Sequence, residues 1–276
     1  MEYALLYADG ADPVPYAPDA DDIGDWVDDV VSRGVSEYGE RLRPGQDATT
    51  LRVRSGEVLV TDGPFSEAKE TIGGFDVIDV RDLDEAIEIA SRHPVAWFGR
   101  VEIRPFLRRR DPAPRSGIVP VEFHDRPERG RRYLLLVVAE RPDADPHADP
   151  QVDAAGSAWA SEMETRGVRL FGAALHRPAD ATFVRRRHGE VLVSDRGDAP
   201  TDAWLAGVDL IEVRDLAEAI EVAAAHPMAA RGSIELRPTW PLDAHEDHVA
   251  RDEREAPDRD RRIEPRSRDA IAEARR

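Results

Sequence analysis

The residues with the most chemical potential lie in one short stretch, Asp62-Gly63-Pro64-Phe65, followed by Lys69 and, further on, His93. Two readings of Asp62 are open. Its carboxylate accepts hydrogen bonds from its own turn, with Phe65 filling the core and Lys69 solvated, or it stands at a pocket mouth with Lys69 as electrostatic partner for an anionic ligand. Lys69 is the only lysine among 38 basic residues. An amine is a compact point charge, and a planar guanidinium does not replace it where a ligand or a proton is handled. His93 precedes Pro94 just as His226 precedes Pro227. Each histidine either faces the carbonyl end of a helix dipole or acts as a general acid or base, since imidazole titrates near neutrality. The candidate catalytic pair is therefore Asp62 and His93, with Lys69 and Phe65 as candidate ligand-binding residues.

These residues sit in a duplicated frame. GGFDVIDVRDLDEAIEIASRHP (73–94) aligns with AGVDLIEVRDLAEAIEVAAAHP (206–227), with 14 of 22 positions identical at an offset of 133. The same offset aligns Trp26 with Trp159, Gly56-Glu57-Val58-Leu59-Val60 with Gly189-Glu190-Val191-Leu192-Val193, and Glu102-Ile103-Arg104-Pro105 with Glu235-Leu236-Arg237-Pro238. The first strands align at 130, Tyr3 and Leu5 with Tyr133 and Leu135. Self-similarity at this scale marks two copies of one domain. The expected boundaries are copy one 1–108, a linker 109–131, copy two 132–242 and a charged, disordered tail 243–276.

Each copy reads as strand, helix, hairpin, strand, helix, strand. Ile23, Trp26, Val27, Val30 and Val31 form a helical stripe, with Gly34 suited to the C-terminal cap. Thr49–Arg54 and Glu57–Thr61 are strands joined at Ser55-Gly56, and Phe75–Val80 is another. Asp82 with Glu85 three residues later resembles a capping box, ahead of a buried stripe at Leu83, Ala86, Ile87 and Ala90. This order predicts an α+β, ferredoxin-like unit with an extra strand from the hairpin. One sheet face would be covered by helices and the other by the second copy.

Composition narrows the field. With 276 residues, a net charge of −18 and no cysteine, the chain has no disulfide framework, thiol nucleophile or thiolate metal site. The acidic excess argues against sequence-independent nucleic-acid binding. No apolar run reaches the roughly 18–20 residues of a membrane span, and Met1 leads into Glu2-Tyr3-Ala4-Leu5-Leu6 with no basic leader, so the expectation is a cytoplasmic protein without membrane partners. Glycine-rich phosphate loops, G-x-S-x-G elbows and H-E-x-x-H pairs are absent from the sequence. His245 and His248 fall in the charged tail, too few ligands for a metal site, and no metal or cofactor is assigned. Arg185-Arg186-Arg187 lies on a hairpin strand, where alternation predicts solvated side chains with one inward ion pair.

GEVLVTDGPFSEAKE (56–70), with EYALLY, ATTLRVR, GGF and VEIRP around it, resembles the DGPF branch of the YCII-related (YciI-like) family. Copy two is similar but degenerate: Gly63-Pro64-Phe65 corresponds to Arg196-Gly197-Asp198, and Lys69 to Asp202. The resemblance implies a dimeric α+β barrel, here formed inside one chain as a pseudo-dimer packed sheet to sheet, with higher oligomers open. It also implies a small-molecule site with lyase- or hydrolase-like proton transfer by a histidine and an aspartate. In the classical branch the site histidine lies on helix one, where this chain has Trp26 and Trp159 and no histidine. The alternative implied by the resemblance is a non-catalytic regulatory or interaction protein, accessory to extracytoplasmic-function sigma factors.

Overall fold

A computed structural model describes residues 1–9, 23–65, 71–107, 130–140, 146–195 and 203–240. In copy one, β1 (Glu2–Asp9) leads to α1 (Ile23–Ser32), β2 (Ser36–Leu42), the hairpin β3 (Thr49–Arg54) and β4 (Glu57–Asp62), and β5 (Ile72–Asp79). α2 (Leu83–Arg92), the single turn α3 (Val95–Phe98) and β6 (Gly99–Pro105) follow. Copy two repeats the plan with β7 (Arg131–Ala139), α4 (Pro150–Thr165), β8 (Arg169–Ala174), β9 (Thr182–Arg187), β10 (Glu190–Ser194), β11 (Trp204–Val213), α5 (Leu216–Ala224) and β12 (Ser233–Trp240). The antiparallel strand orders are β6-β1-β5-β2 and β12-β7-β11-β8, the α+β arrangement of a ferredoxin-like unit. Most of the linker and all of the tail lie outside the described residues.

The second strand of each unit is not the hairpin but β2 or β8. Ser36–Leu42 has little apolar content, and only Tyr38 and Leu42 of that strand are buried. It becomes a strand by pairing with β5, with Gly39 opposite Asp76. The hairpins, freed from that duty, cross over. β3 pairs with β12 of copy two, Leu51 opposite Ile234. β9 pairs with β6 of copy one, Val184 opposite Val101. Each last strand would otherwise present an unpaired edge, and the partner's hairpin satisfies it. Both hairpins turn through two left-handed residues, Ser55-Gly56 and His188-Gly189, whose twist suits a two-residue connection.

Side-chain alternation along the strands sorts the core into three layers. Leu5, Tyr7, Ile78 and Ile103 face α1 and α2 with Trp26, Val30 and Ile89. Leu135, Val137, Ile211 and Ile234 face α4 and α5 with Trp159 and Met163, joined there by Leu51 and Val60 from the first hairpin. Between the sheets, Ala4, Leu6, Phe75 and Val77 of copy one pack in one cluster with Leu134, Leu136, Val208 and Leu210 of copy two.

Polar fasteners secure the crossings. Glu140 accepts from Arg52 Nε at 2.5 Å and from an Arg54 guanidinium nitrogen at 3.0 Å, while Arg54 also donates to the carbonyls of Ala229 and Gly232. On the other side Arg187 donates to the Trp97 carbonyl at 2.9 Å, and the Arg186 guanidinium lies 4.2 Å from the Trp97 ring centre. The Arg185–Arg187 run is thus part of the junction between copies rather than solvated surface, because the hairpin leaves its own copy. The α2 stripe also differs from the expected one: Ala86, Ile89 and Ala90 are buried, Ile87 is partly buried, and Leu83 is 38% exposed. Its start agrees with the capping pattern, Asp82 accepting from the Glu85 amide at 3.0 Å and Glu85 from the Arg81 amide at 2.9 Å. Among the described residues no helix is long and apolar enough to cross a membrane.

Leu51 belongs to copy one in sequence and to the copy-two core in space, so Leu51→Ala is expected to cost about 2–5 kcal/mol. Calorimetry should show one lowered transition for the whole chain; two separated transitions would show that the copies fold independently.

Candidate functional site

Asp62 ends β4 and is exposed, and its carboxylate makes no hydrogen bond among the described residues. Its turn is held by other groups. The Gly63 amide donates to the Ala48 carbonyl at 2.8 Å, Thr50 Oγ1 donates to the Gly63 carbonyl at 2.8 Å, and the Phe65 amide donates to Glu235 Oε2 at 2.9 Å. Glu235 belongs to copy two, is 1% exposed and pairs with Arg237 at 3.2 Å; burial raises its pKa, and the Arg237 charge and the Phe65 amide oppose that rise. Phe65 is half-buried, so the loop clasps the other copy rather than plugging the core of its own. Lys69 lies outside the described residues.

His93 is on the opposite side of the hairpin crossing, in the helix-facing core of copy one, and is 6% exposed. It stacks on Tyr7 with ring centres 3.9 Å apart and meets Trp26 edge-on at 4.7 Å. The Asp62–His93 pairing expected from the sequence is therefore not what the fold assembles: no contact joins them among the described residues, because β3–β4 leaves copy one. The helix-dipole reading of His93 also needs correction. Burial pushes its pKa down to about 3, and Nδ1 accepts from the Val95 amide at 3.1 Å, so the ring is neutral with its proton on Nε2. It caps the α3 turn as an acceptor rather than serving a helix end as a cation. His226 does the same for Met228 at 3.2 Å, with its pKa also pushed down to about 3.

The residue the fold does bring to His93's neighbour is Asp76. Tyr7 Oη donates to Asp76 Oδ2 at 2.7 Å. Asp76 sits on β5 on the helix side, where β5 carries Ile78 into the same layer. Burial raises its pKa to about 7 against the lowering effect of the Tyr7 hydrogen bond, with Glu40 adding a further push upward. Yet Asp76 is of intermediate exposure. Gly39, directly opposite, leaves room: a Cβ there would lie 1.9 Å from Asp76 Oδ1. Burial and the Asp76 charge also raise the Tyr7 pKa well above normal, so the phenol remains a donor. A sign of Asp76 exists in the repeat, where GGFDVIDV and AGVDLIEV both place an acid inside an apolar strand. Among the described residues no cluster of three or more acidic or histidine side chains is arranged to hold a metal.

Copy two holds the counterpart carboxyl in a closed arrangement. Asp209 accepts from Arg169 Nε at 2.7 Å and lies 3.8 Å from His226 Nε2, and the copy-two residue matching Tyr7 is Val137. The two tryptophans are equivalent structural ties, Trp26 Nε1 donating to the Ile89 carbonyl and Trp159 Nε1 to the Val222 carbonyl, each at 3.1 Å.

These shifts set opposite pH dependences. An acid whose folded pKa is raised holds its proton longer in the folded chain, so Asp76 contributes stability that is full below about pH 4 and is lost as pH rises to about 7. The histidines, depressed from 6.5 to about 3, contribute stability present above pH 6.5 and lost on acidification towards 3. Asp76→Asn is accordingly expected to stabilise the chain at pH 8 relative to the parent, with the gain vanishing near pH 4; denaturant melts at the two pH values check this, and an equal effect at both would refute it.

A family model for the YCII-related domain matches the chain twice, over residues 1–119 and 132–243. "Uncharacterized protein R00369" of Rhizobium meliloti (strain 1021) is 45% identical over 69 residues, which is 24% of this chain and about half, 54%, of that protein's length. The crystal structure of "Putative Chlorite dismutase TA0507" aligns over 89% of this chain and 96% of its own, with a TM-score of 0.38 and 13% identity. With both copies matched by one family model, the chain belongs to the YCII-related family.

Proposed function

We propose that copy one binds a small molecule and carries out lyase- or hydrolase-like proton transfer with Asp76 as the proton-exchanging group. The observation that carries this reading is a carboxyl shifted to about 7 by burial, on a residue of intermediate exposure, and hydrogen-bonded by a buried phenol. A group with its pKa near the working pH exists in both protonation states and can take or return a proton at low cost. Tyr7 stabilises the carboxylate through Oδ2, leaving Oδ1 for the reacting proton. His93, neutral and fixed by the Val95 amide, holds the Tyr7 ring by stacking and acts as a positioning residue. The Asp62–Phe65 loop, which marks the DGPF branch, serves as the clasp between copies. Copy two completes an intramolecular pseudo-dimeric barrel and, with Asp209 tied to Arg169, is the non-reacting partner.

One observation favours the second reading, a non-catalytic interaction protein of the kind that accompanies extracytoplasmic-function sigma factors. Among the described residues β10 pairs only with β9, and Val191, Leu192 and Val193 are 42%, 48% and 47% exposed, an edge open to strand addition.

A turnover screen over small activated esters, halides and elimination substrates separates the two. The enzymatic reading expects a rate with a pH midpoint near 7 that falls about 10²–10⁴-fold in Asp76→Asn. In Tyr7→Phe, loss of the hydrogen bond should move the midpoint upward. A rate insensitive to Asp76→Asn would sink this assignment.

A further inference from the structure

The two copies place equivalent carboxyls in different company, and the difference shows what copy one lacks. In copy two, Arg169 stands on β8 opposite Ile211, and its guanidinium lies over Gly172: a Cβ on that glycine would be 2.2 Å from an Arg169 terminal nitrogen and 1.8 Å from Asp209 Oδ1. In copy one the same strand position, opposite Ile78, is Ser36. Over Gly39 the three nearest heavy atoms all belong to the Asp76 carboxyl itself. Tyr7 is the only hydrogen-bond partner of the Asp76 carboxyl among the described residues, and it engages Oδ2. Oδ1, the oxygen equivalent to the one that Arg169 Nε contacts in copy two, packs directly over Gly39, and among the described residues no atom of another residue takes the place beside it that the Arg169 terminal nitrogen takes over Gly172.

We infer that Asp76 receives the cationic nitrogen of a small molecule, a guanidinium, an amidinium or a protonated amine, in the place that Arg169 fills in copy two. Arg169 is then a built-in copy of the ligand group, which explains why its own site needs no visitor. A charge-assisted N–H···O bond to a desolvated carboxylate is stronger than a neutral one and, with guanidinium, directional. The surroundings agree: residues 1–108 carry 11 basic and 23 acidic residues, a net −12, against −6 (12 basic, 18 acidic) for residues 132–242. That field concentrates cations near copy one. The inference rests on copy one holding the functional site; Lys69, the basis for an anionic ligand, lies outside the described residues.

The test uses the full chain with methylguanidine and butylamine as probes, neutral urea as the isostere and glycolate as the anion, following the Trp26 indole N–H signal by NMR. Both cations are expected to give saturable shifts, methylguanidine at least tenfold tighter than urea. The response should vanish in Asp76→Asn and persist in Asp84→Asn, an exposed acid of α2. Ser36→Arg, which recreates the Arg169 arrangement, should abolish cation binding while leaving the melting temperature unchanged or raised. Equal binding of urea, binding that survives both Asp76→Asn and Ser36→Arg, or silence with both cations would overturn the inference. Saturable glycolate binding lost in Asp76→Asn would also overturn it while leaving the site itself in place, and the pH midpoint of Asp76 decides the underlying site reading independently of any probe.

Discussion

Neither four-stranded unit can satisfy both faces and both edges of its sheet alone, and that constraint governs the rest of the molecule. Helices cover one face of each sheet, and the other faces meet in a shared apolar layer of Ala4, Leu6, Phe75, Leu134, Leu136 and Leu210. The edges are met by exchange: β3 continues β12, and β9 continues β6. Leu51, 0% exposed among copy-two side chains, shows how complete the dependence is. Burying one such side chain is worth about 1.5–3 kcal/mol, which neither copy would gain without the other. Copy two therefore keeps the helix caps, the tryptophan tie and the strand pattern, while its chemistry is free to differ.

That arrangement leaves Asp76 and Tyr7 on the helix-facing side of copy one, away from the clasp between copies. A buried carboxyl without a cation costs stability, because removing charge from water is unfavourable unless it is paired or neutralised. The protein meets this differently in its two halves. Asp209 is paired with Arg169 at 2.7 Å, which opposes the upward push of burial, whereas burial raises Asp76 to about 7 and its carboxyl takes a hydrogen bond from Tyr7. Burial raises the pKa of both acids, but among the described residues only Asp209 has a cation to oppose the rise, so equivalent positions of the two copies differ in their electrostatic company.

The duplication, most strands and the α2 cap were legible in the sequence, because repeats, alternation and the Asp82–Glu85 spacing are local patterns. Ser36–Leu42 was harder, since its strand character comes from pairing with β5 and not from its own residues. Hairpin exchange left no local trace: Thr49–Asp62 reads the same whether β3 pairs within its copy or on β12. The conspicuous Asp62-Gly63-Pro64-Phe65 loop drew attention to a turn that the fold uses to reach Glu235. Asp76, inside an otherwise apolar strand, was the quieter sign, and only the register that brings it beside Gly39 and within reach of Tyr7 gives it meaning.

The most direct measurement is a carbon-13 NMR titration of the Asp76 carboxyl in the full chain, assigned by its disappearance in Asp76→Asn. A midpoint near 7, well above an ordinary aspartate, is the result predicted for a desolvated, proton-exchanging group. A midpoint near 4 would mean a solvated or already paired carboxylate and would contradict the assignment of the site to copy one.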